Sequence, residues 1–377
     1  MFDFVLFENF YLAHNHYKDI CLIARLLMAN GYSVAIADVF EEGENCLVED
    51  VPHIQFRKKF PKLLVSKIKI TDYLYDFINK RHIDNYLIYV MRQLKGQYKH
   101  LYAGSYFTYM TTGWLKEIPS SSSAFFWGLR SARLIEKKKS AVRLRQFFDS
   151  HLNLKFFVSD ELIFQEFIDV GISASRLVIR PERFITEIQT ITTQKTNKEL
   201  RLLSIGSIRK QKRVELCIDA IRRTGLNNRI TYTIAGGNKD EQYESLITKH
   251  RNGMSNVIRM NYRIPEEEYN KLIKDCDFLV LCDDRQKSSV TNGTMNEALL
   301  KGVPIIAPNY NPYKYYVERY RIGLLFNPSD SSSLDQILTQ AFQHGRSYFS
   351  NNIVSYQKTL LFESVSKTFG QELKDVL

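Results

Sequence analysis

Apolar residues fall along this chain in short unbroken runs, separated by stretches in which they recur three and four positions apart. The runs suit strands buried on both faces and the stretches suit helices packed on one face, so the rhythm predicts an α/β fold with parallel sheets. FDFVLF, at residues 2–7, opens as a strand. In YKDICLIARLLMANGYS, Ile20, Ile23, Leu26 and Leu27 share a helical face, and Gly31 stands where a helix C-cap favours glycine. SVAIADVF follows as a second strand, which completes a βαβ opening. HLYAG, SAFFWG and LKFFVSD predict further strands of the same sheet.

The rhythm breaks near residues 181–200. After RLVIRPERF, the stretch ITEIQTITTQKTNKEL is polar and threonine-rich, as a linker or extended crossing would be. Beyond it LRLLSIGS predicts a strand ending in glycine, VELCIDAIRRTG a helix and RITYTIAGG a strand. DEQYESLITKHRNG, NVIRMNYR, PEEEYNKLIKDC and DFLVLCD continue as helix, strand, helix and strand, and TMNEALLKG, VPIIAPN and GLLFNP as helix, strand, strand. The expected division is a first domain over 1–180, a second over 181–355 and a C-terminal helix over 356–377 that returns toward the first. Ligand loops belong at the C-terminal ends of the strands.

Composition narrows the class. At 377 residues and 44.1 kDa the chain exceeds one ordinary core, and 44% hydrophobic with 25% charged residues is a globular balance. No run approaches the roughly 18 apolar residues of a membrane helix. MFDFVLFENFY lacks the basic start of a signal peptide, and five cysteines without CxxC argue against a disulfide framework or a zinc ribbon. The chain reads as cytoplasmic. Its net charge of +11 is uneven: residues 51–145 hold 19 Lys and Arg against 5 Asp and Glu, whereas the remainder is slightly acidic. FRKKFPKLLVSKIKI and SARLIEKKKSAVRLRQFFDSHL, with Lys137, Lys138, Lys139, Arg143 and Arg145 in the second, alternate basic with apolar residues. Such segments suit an anionic membrane surface, with an ordinary solvated helix as the other reading. No nucleic-acid motif accompanies the charge, so no nucleic-acid partner is expected.

The candidate chemistry lies in the second half. Gly206 ends a strand and lets the backbone turn close to a phosphate with no Cβ in the way. Thr291, Asn292, Gly293 and Thr294 precede a helix whose first N–H groups and dipole suit an anion. Five segments, SIGSIRKQKRVELCIDAI, YTIAGGN, NVIRMNYRIPEEEYNKLIKDCDFLVL, NGTMNEALLKGVPIIAPN and IGLLFNPSD, stand in order over about residues 201–340. In order and spacing they resemble the nucleotide-sugar domain of GT-B glycosyltransferases, particularly the retaining family 4. VSDELIFQEFIDVGI resembles that family's segment before the interdomain hinge.

The resemblance implies two Rossmann-like domains facing a cleft, a nucleoside-diphosphate sugar donor, and neither metal nor organic cofactor. It carries the pyrophosphate-binding lysine onto Lys212, while the family's arginine position holds Ser207; Arg209, two residues on, is the candidate replacement. Lys212 and Arg209 are accordingly the catalytic candidates, since cations there stabilise the charge on a departing diphosphate. Of the E-x7-E pair, the second glutamate matches Glu297, which implies ribose binding, and the first falls on Ser289. Arg263 follows the strand whose backbone reads the base in the family, and Gly236 and Gly237 end the strand before it. Adjacent Asp283 and Asp284 offer a metal pair only weakly, because they would point oppositely if extended. The first domain should hold the acceptor, with Glu8, His14 and His16 after strand one and Arg130 after AFFWG as candidates.

The leading expectation is sugar transfer to a lipid-linked glycan in cell-surface polysaccharide synthesis, with retention, at the cytoplasmic face of the membrane. A catalytically silent GT-B subunit and a nucleotide-sugar epimerase stay open as alternatives.

Overall fold

The computed structural model describes residues 1–7, 17–39, 50–58, 69–104, 113–127, 146, 149–189, 199–283 and 292–377. The chain divides into two units: Met1–Phe184 with Glu363–Leu377, and Ile185–Phe362.

In the first unit seven strands form a parallel sheet in the order β3-β2-β1-β4-β5-β6-β7. They are β1 (Phe2–Phe7), β2 (Val34–Asp38), β3 (His53–Gln55), β4 (Tyr98–Ala103), β5 (Ser123–Trp127), β6 (Leu154–Val158) and β7 (Leu177–Ile179). Helices α1 (Tyr17–Ala29), α2 (Lys69–Leu94) and α3 (Glu161–Asp169) connect them. No element was expected over 69–94, yet Ile83, Tyr86, Leu87, Val90, Met91 and Leu94 are all buried and recur at helical spacing. The core is rich in aromatic rings. Phe125 and Phe157 stack at 4.8 Å, and Phe7 meets Trp114 edge-on at 5.6 Å. Such pairs each add about 0.5–1.5 kcal/mol beyond their buried area.

The C-terminal helix Phe362–Val376 packs on this unit. Asn30 Nδ2 donates to the carbonyl and hydroxyl oxygens of Ser366, both at 3.0 Å, and the Ile179 N–H donates to Glu372 Oε2 at 2.6 Å. Cys21 is disulfide-bonded, while Cys217, Cys276 and Cys282 are free and buried.

The second unit has a six-stranded parallel sheet, β10-β9-β8-β11-β12-β13. Its strands are β8 (Leu200–Ile205), β9 (Ile230–Ala235), β10 (Val257–Met260), β11 (Phe278–Val280), β12 (Ile305–Pro308) and β13 (Gly323–Phe326). Around them lie α4 (Val214–Thr224), α5 (Glu241–His250), α6 (Glu266–Asp275), α7 (Gly293–Leu300), α8 (Tyr313–Tyr320), α9 (Ser333–His344) and α10 (Ser350–Thr359). Its strand core is largely aliphatic, with Leu203, Ile205, Ile234, Leu279, Ile305 and Ile306 at 3% exposure or less.

Two side chains satisfy carbonyls that α7 leaves open at its C-terminal end. Gln357 Nε2 donates to Leu299 and Leu300, and the Arg346 guanidinium donates to Lys301 and Gly302. The helix is thereby fixed at the end away from its N-cap.

The order of this sheet decides where chemistry can sit. From β8 the chain runs to β9 and β10 on one side, then returns through β11 on the other. Connections leaving β8 and β11 diverge to opposite sides and open a crevice at the strand C-termini. Gly206 follows β8 there, and Asp283 lies three residues beyond β11.

Candidate functional site

Backbone geometry prepares the end of β8. Gly206 has φ +106° and Gly236, after β9, has φ +130°, a region that L side chains rarely adopt. A Cβ on Gly236 would stand 1.8 Å from the Gly206 carbonyl oxygen. Glycine at 236 is therefore required by close approach as well as by conformation. The Gly206 N–H donates to Ala235 O at 3.0 Å and the Gly236 N–H to Met260 O at 2.9 Å, so the ends of three adjacent strands interlock.

Beyond Gly206 the chain makes a short 3-10 turn, Lys210–Lys212, before α4. Arg213, at φ +44°, reverses it into the helix. The exit is pinned from α5: the Val214 N–H donates to the Tyr243 hydroxyl at 3.0 Å, which donates to Glu215 at 2.7 Å. Burial, then Glu215, raises the Tyr243 phenol well above its ordinary range and keeps it a donor.

Across this turn lies the start of α7. Asn292 is its N-cap, with the side-chain oxygen accepting the Thr294 N–H at 3.0 Å. The Thr294 Oγ1 is 3.6 Å from where a Gly206 Cβ would be. Ile205, Gly206, Ser207, Arg209, Gln211, Lys212 and Thr294 line one cavity of about 150 Å³. Drug-sized ligands occupy roughly 300–1,000 Å³, so this volume suits a phosphate-sized part of a larger molecule. Arg209 Nε donates to Ser207 Oγ at 3.1 Å, so the serine in the arginine position orients an arginine two residues on. A larger hollow of about 470 Å³, lined by Pro265, Glu267, Glu268, Lys271, Leu272 and Asp275, carries three carboxylates against one lysine and would repel a polyanion.

Behind the cavity is a polar cluster. Lys212 Nζ is 3.6 Å from Asp283 Oδ1, and their side chains are 17% and 1% exposed. Asp283 Oδ2 accepts from the Tyr313 hydroxyl at 2.6 Å and from Asn292 Nδ2 at 3.0 Å. Burial, then the Asp283 charge, pushes the Tyr313 phenol well above its usual range, so it too stays protonated. With both carboxylate oxygens facing donors or an ammonium, the arrangement is that of a counter-ion.

The structure thus brings Gly206, Ser207, Arg209, Lys212, Asn292, Gly293 and Thr294 together, with Gly236 against Gly206. Glu297, partly buried, lies one turn into α7. Arg263 is exposed and does not line the cavity; its backbone N is 3.8 Å from a Cβ built on Gly237. Ser289, Thr291 and Asp284 lie outside the described residues, as do Glu8, His14, His16 and Arg130. So do Lys137, Lys138, Lys139, Arg143 and Arg145 of the second basic segment. Among the described residues no group of three or more His, Cys, Asp or Glu could hold a metal. Tyr313 is a member of the site that sequence patterns did not mark, and Asp283, weighed there only as half of a weak metal pair, is instead the partner of Lys212, Asn292 and Tyr313. The signal in the sequence was an aspartate just after the apolar run DFLVLC.

Residues 186–356 match the family model for glycosyl transferases group 1. Among solved structures, Anabaena HepE in complex with UDP shares 12% identity, with 99% of each chain covered and a TM-score of 0.67. The lipopolysaccharide outer core galactosyltransferase WaaB, in its apo form, shares 14% over 99% of each chain, at a TM-score of 0.67. Sucrose-phosphate synthase from Thermosynechococcus elongatus shares 12% over 99% of this chain and 98% of that one, at 0.68. No curated protein sequence matches. The chain has the α/β fold of the GT-B glycosyltransferases, two Rossmann-like units, and the match to the glycosyl transferases group 1 model falls within the second of them.

Proposed function

We propose that this protein transfers a sugar from a nucleoside-diphosphate donor, and that the second unit binds the donor. One observation carries the reading: a cavity at the strand-order switch is lined by a left-handed glycine, two cations and Thr294 from the first turn of a helix. Backbone amides, a helix N-terminus and cations are the groups that hold a diphosphate in place. Arg209 and Lys212 face the pyrophosphate, Asn292–Thr294 supply the helix start, and Glu297 takes the ribose hydroxyls. Thr291 joins Asn292–Thr294 on the phosphate, Ser289 stands at the position that contacts the sugar, and Arg263 and Gly236 border the base.

In the transfer, the bond from the anomeric carbon to the diphosphate oxygen breaks while the acceptor oxygen bonds to that carbon. The acceptor proton passes to the leaving diphosphate, which gives retention on the front side without a protein base. Lys212 and Arg209 neutralise the charge that builds on the leaving group, and these are contacts that strengthen in the transition state.

The acceptor in this reading is a lipid-linked glycan of cell-surface polysaccharide, bound by the first unit through Glu8, His14, His16 and Arg130. The basic residues of 51–145 hold the protein at the anionic inner face of the membrane. Two observations support a peripheral location: a local surplus of 14 positive charges, and no helix among the described residues long and apolar enough to cross a membrane. WaaB, of similar fold, is a lipopolysaccharide outer core galactosyltransferase.

The test is release of nucleoside diphosphate from a panel of nucleotide sugars, with and without membrane-extracted lipid-linked glycans. Acceptor-dependent release is the expected result. A purified chain that binds nucleoside diphosphates but neither hydrolyses nor transfers any donor would instead be a silent binding subunit. Ser207 and Ser289, at positions where the family has an arginine and a glutamate, are what favour that second reading.

A further inference from the structure

Asp283 is the group whose position the donor-binding reading leaves unexplained. It is a carboxylate with a 1% exposed side chain behind a cavity assigned to an anion, where a negative charge should weaken binding. Its geometry supplies a reason. Among the described residues Oδ1 has no hydrogen-bond donor and faces the Lys212 ammonium at 3.6 Å, while Oδ2 accepts from Asn292 and Tyr313. One carboxylate therefore touches both halves of the cavity wall, the Lys210–Lys212 turn after β8 and the N-cap of α7. Tyr313, at the start of α8, anchors it from behind.

A lysine side chain has four rotatable bonds and is strongly hydrated, so without a partner it spreads over many rotamers into solvent. Lys212 is instead 17% exposed and lines the cavity. We propose that Asp283 is a positioning residue: it holds the Lys212 ammonium beside the Asn292-capped start of α7 before the donor arrives, so that ligand binding orders neither element. This inference rests on the donor-binding reading above.

The pair also explains why an aspartate is tolerated there. An unpaired buried carboxylate would be costly, and so would the reverse, a buried lysine without a counter-ion. The 3.6 Å separation exceeds the distance of a tight charge-assisted hydrogen bond, about 2.7–2.9 Å. The ammonium is left with donors to turn toward phosphate oxygens while it keeps the carboxylate behind it.

The test is a double-mutant cycle on UDP and GDP affinity, measured by calorimetry with wild type, Asp283→Asn, Lys212→Ala and the double variant. Asparagine keeps an acceptor for Tyr313 and Asn292 and removes the charge that faces Lys212. If Asp283 acts through the lysine, Asp283→Asn weakens diphosphate binding about tenfold in the wild-type background and less than twofold when Lys212 is already alanine. Equal losses in both backgrounds would overturn the proposal, because a role confined to folding or to the α7 cap does not depend on Lys212. Tighter binding by Asp283→Asn would also overturn it, by showing the carboxylate to be only a repulsive charge. Should Asp283→Asn fail to fold, thermal melting of ligand-free Lys212→Met tests the pairing instead. That variant should melt several degrees below wild type, with Asp283 buried and unpaired, and an unchanged melting temperature would contradict the pairing. A wild-type chain that binds neither diphosphate would sink the donor-binding reading itself, whatever the variants do.

Discussion

The two units share a plan and differ at their strand ends. Each has a parallel sheet whose order reverses beside its first strand, β1 next to β4 in one and β8 next to β11 in the other. In the first unit β1 ends in Phe7, buried against Trp114, and the Gly104 N–H closes on the Phe7 carbonyl. In the second, β8 runs directly into Gly206, whose carbonyl passes so close to Gly236 that no side chain fits there. One strand end is filled by rings, and the other is pared to backbone with cations and a helix start around it. The same fold places both, and the residues at the strand ends decide which can admit a phosphate.

Glycine substitutions should break this comparison most sharply. Gly236→Ala puts a methyl group into backbone at φ +130° and should cost at least about 3 kcal/mol, or abolish folding of the second unit. Gly96→Ala in the first unit, at φ +78° but with open space around it, should cost only about 1–2 kcal/mol. Urea unfolding of the two variants measures the difference, and equal losses would remove close approach as the reason for Gly236.

Lys212→Ala should follow in size. Loss of a charge-assisted phosphate contact, about 1.5–3 kcal/mol, corresponds to roughly ten- to a hundredfold weaker UDP or GDP binding by calorimetry. Unchanged affinity would take Lys212 out of the site. Glu297→Gln should act more selectively and weaken a ribonucleotide more than its 2′-deoxy counterpart, since a carboxylate serving two hydroxyls loses less when one is absent. Equal penalties on the two ligands would contradict a ribose contact.

The smallest effect concerns the first unit alone. His100 is held below its ordinary value of 6.5 by burial, then by Lys155, and its buried Nδ1 has no hydrogen-bond partner among the described residues. As pH falls through 6.5 the unfolded chain takes up a proton that the folded chain resists, so stability declines until the folded imidazole also protonates. The melting temperature should therefore drop between pH 7.5 and 5.5, and the drop should shrink in His100→Gln. An identical pH profile for the two proteins would show the imidazole to be irrelevant.

Much of this architecture is legible in the sequence because buried parallel strands read as continuous apolar runs. FDFVLF, LRLLSI and ITYTIA announce themselves, and Gly31 and Gly225 mark helix ends by their left-handed backbone. Helix α2 is harder to see, since tyrosines and an interleaved Arg-His pair disguise a stripe that becomes clear only when Ile83 through Leu94 are seen buried. At the site, Gly206, Lys212 and Asn292 are readable because each acts locally, as a strand end, a turn and a cap. Asp283 is not, because its partners Lys212, Asn292 and Tyr313 come from separate elements that only the sheet order brings together. The Arg209–Ser207 bond lies between: the substitution is visible in sequence, and the hydrogen bond that orients the arginine is visible only in three dimensions.

Amide hydrogen exchange with saturating UDP or GDP tests the central claim most directly, because it reports where a diphosphate acts without requiring the acceptor. Slowed exchange should appear in peptides covering 205–214 and 292–300, the two walls of the cavity, with peptides of β1 and β4 in the first unit unchanged. Protection confined to the first unit, or absent from both of those walls despite measurable binding, would contradict the assignment of the donor site.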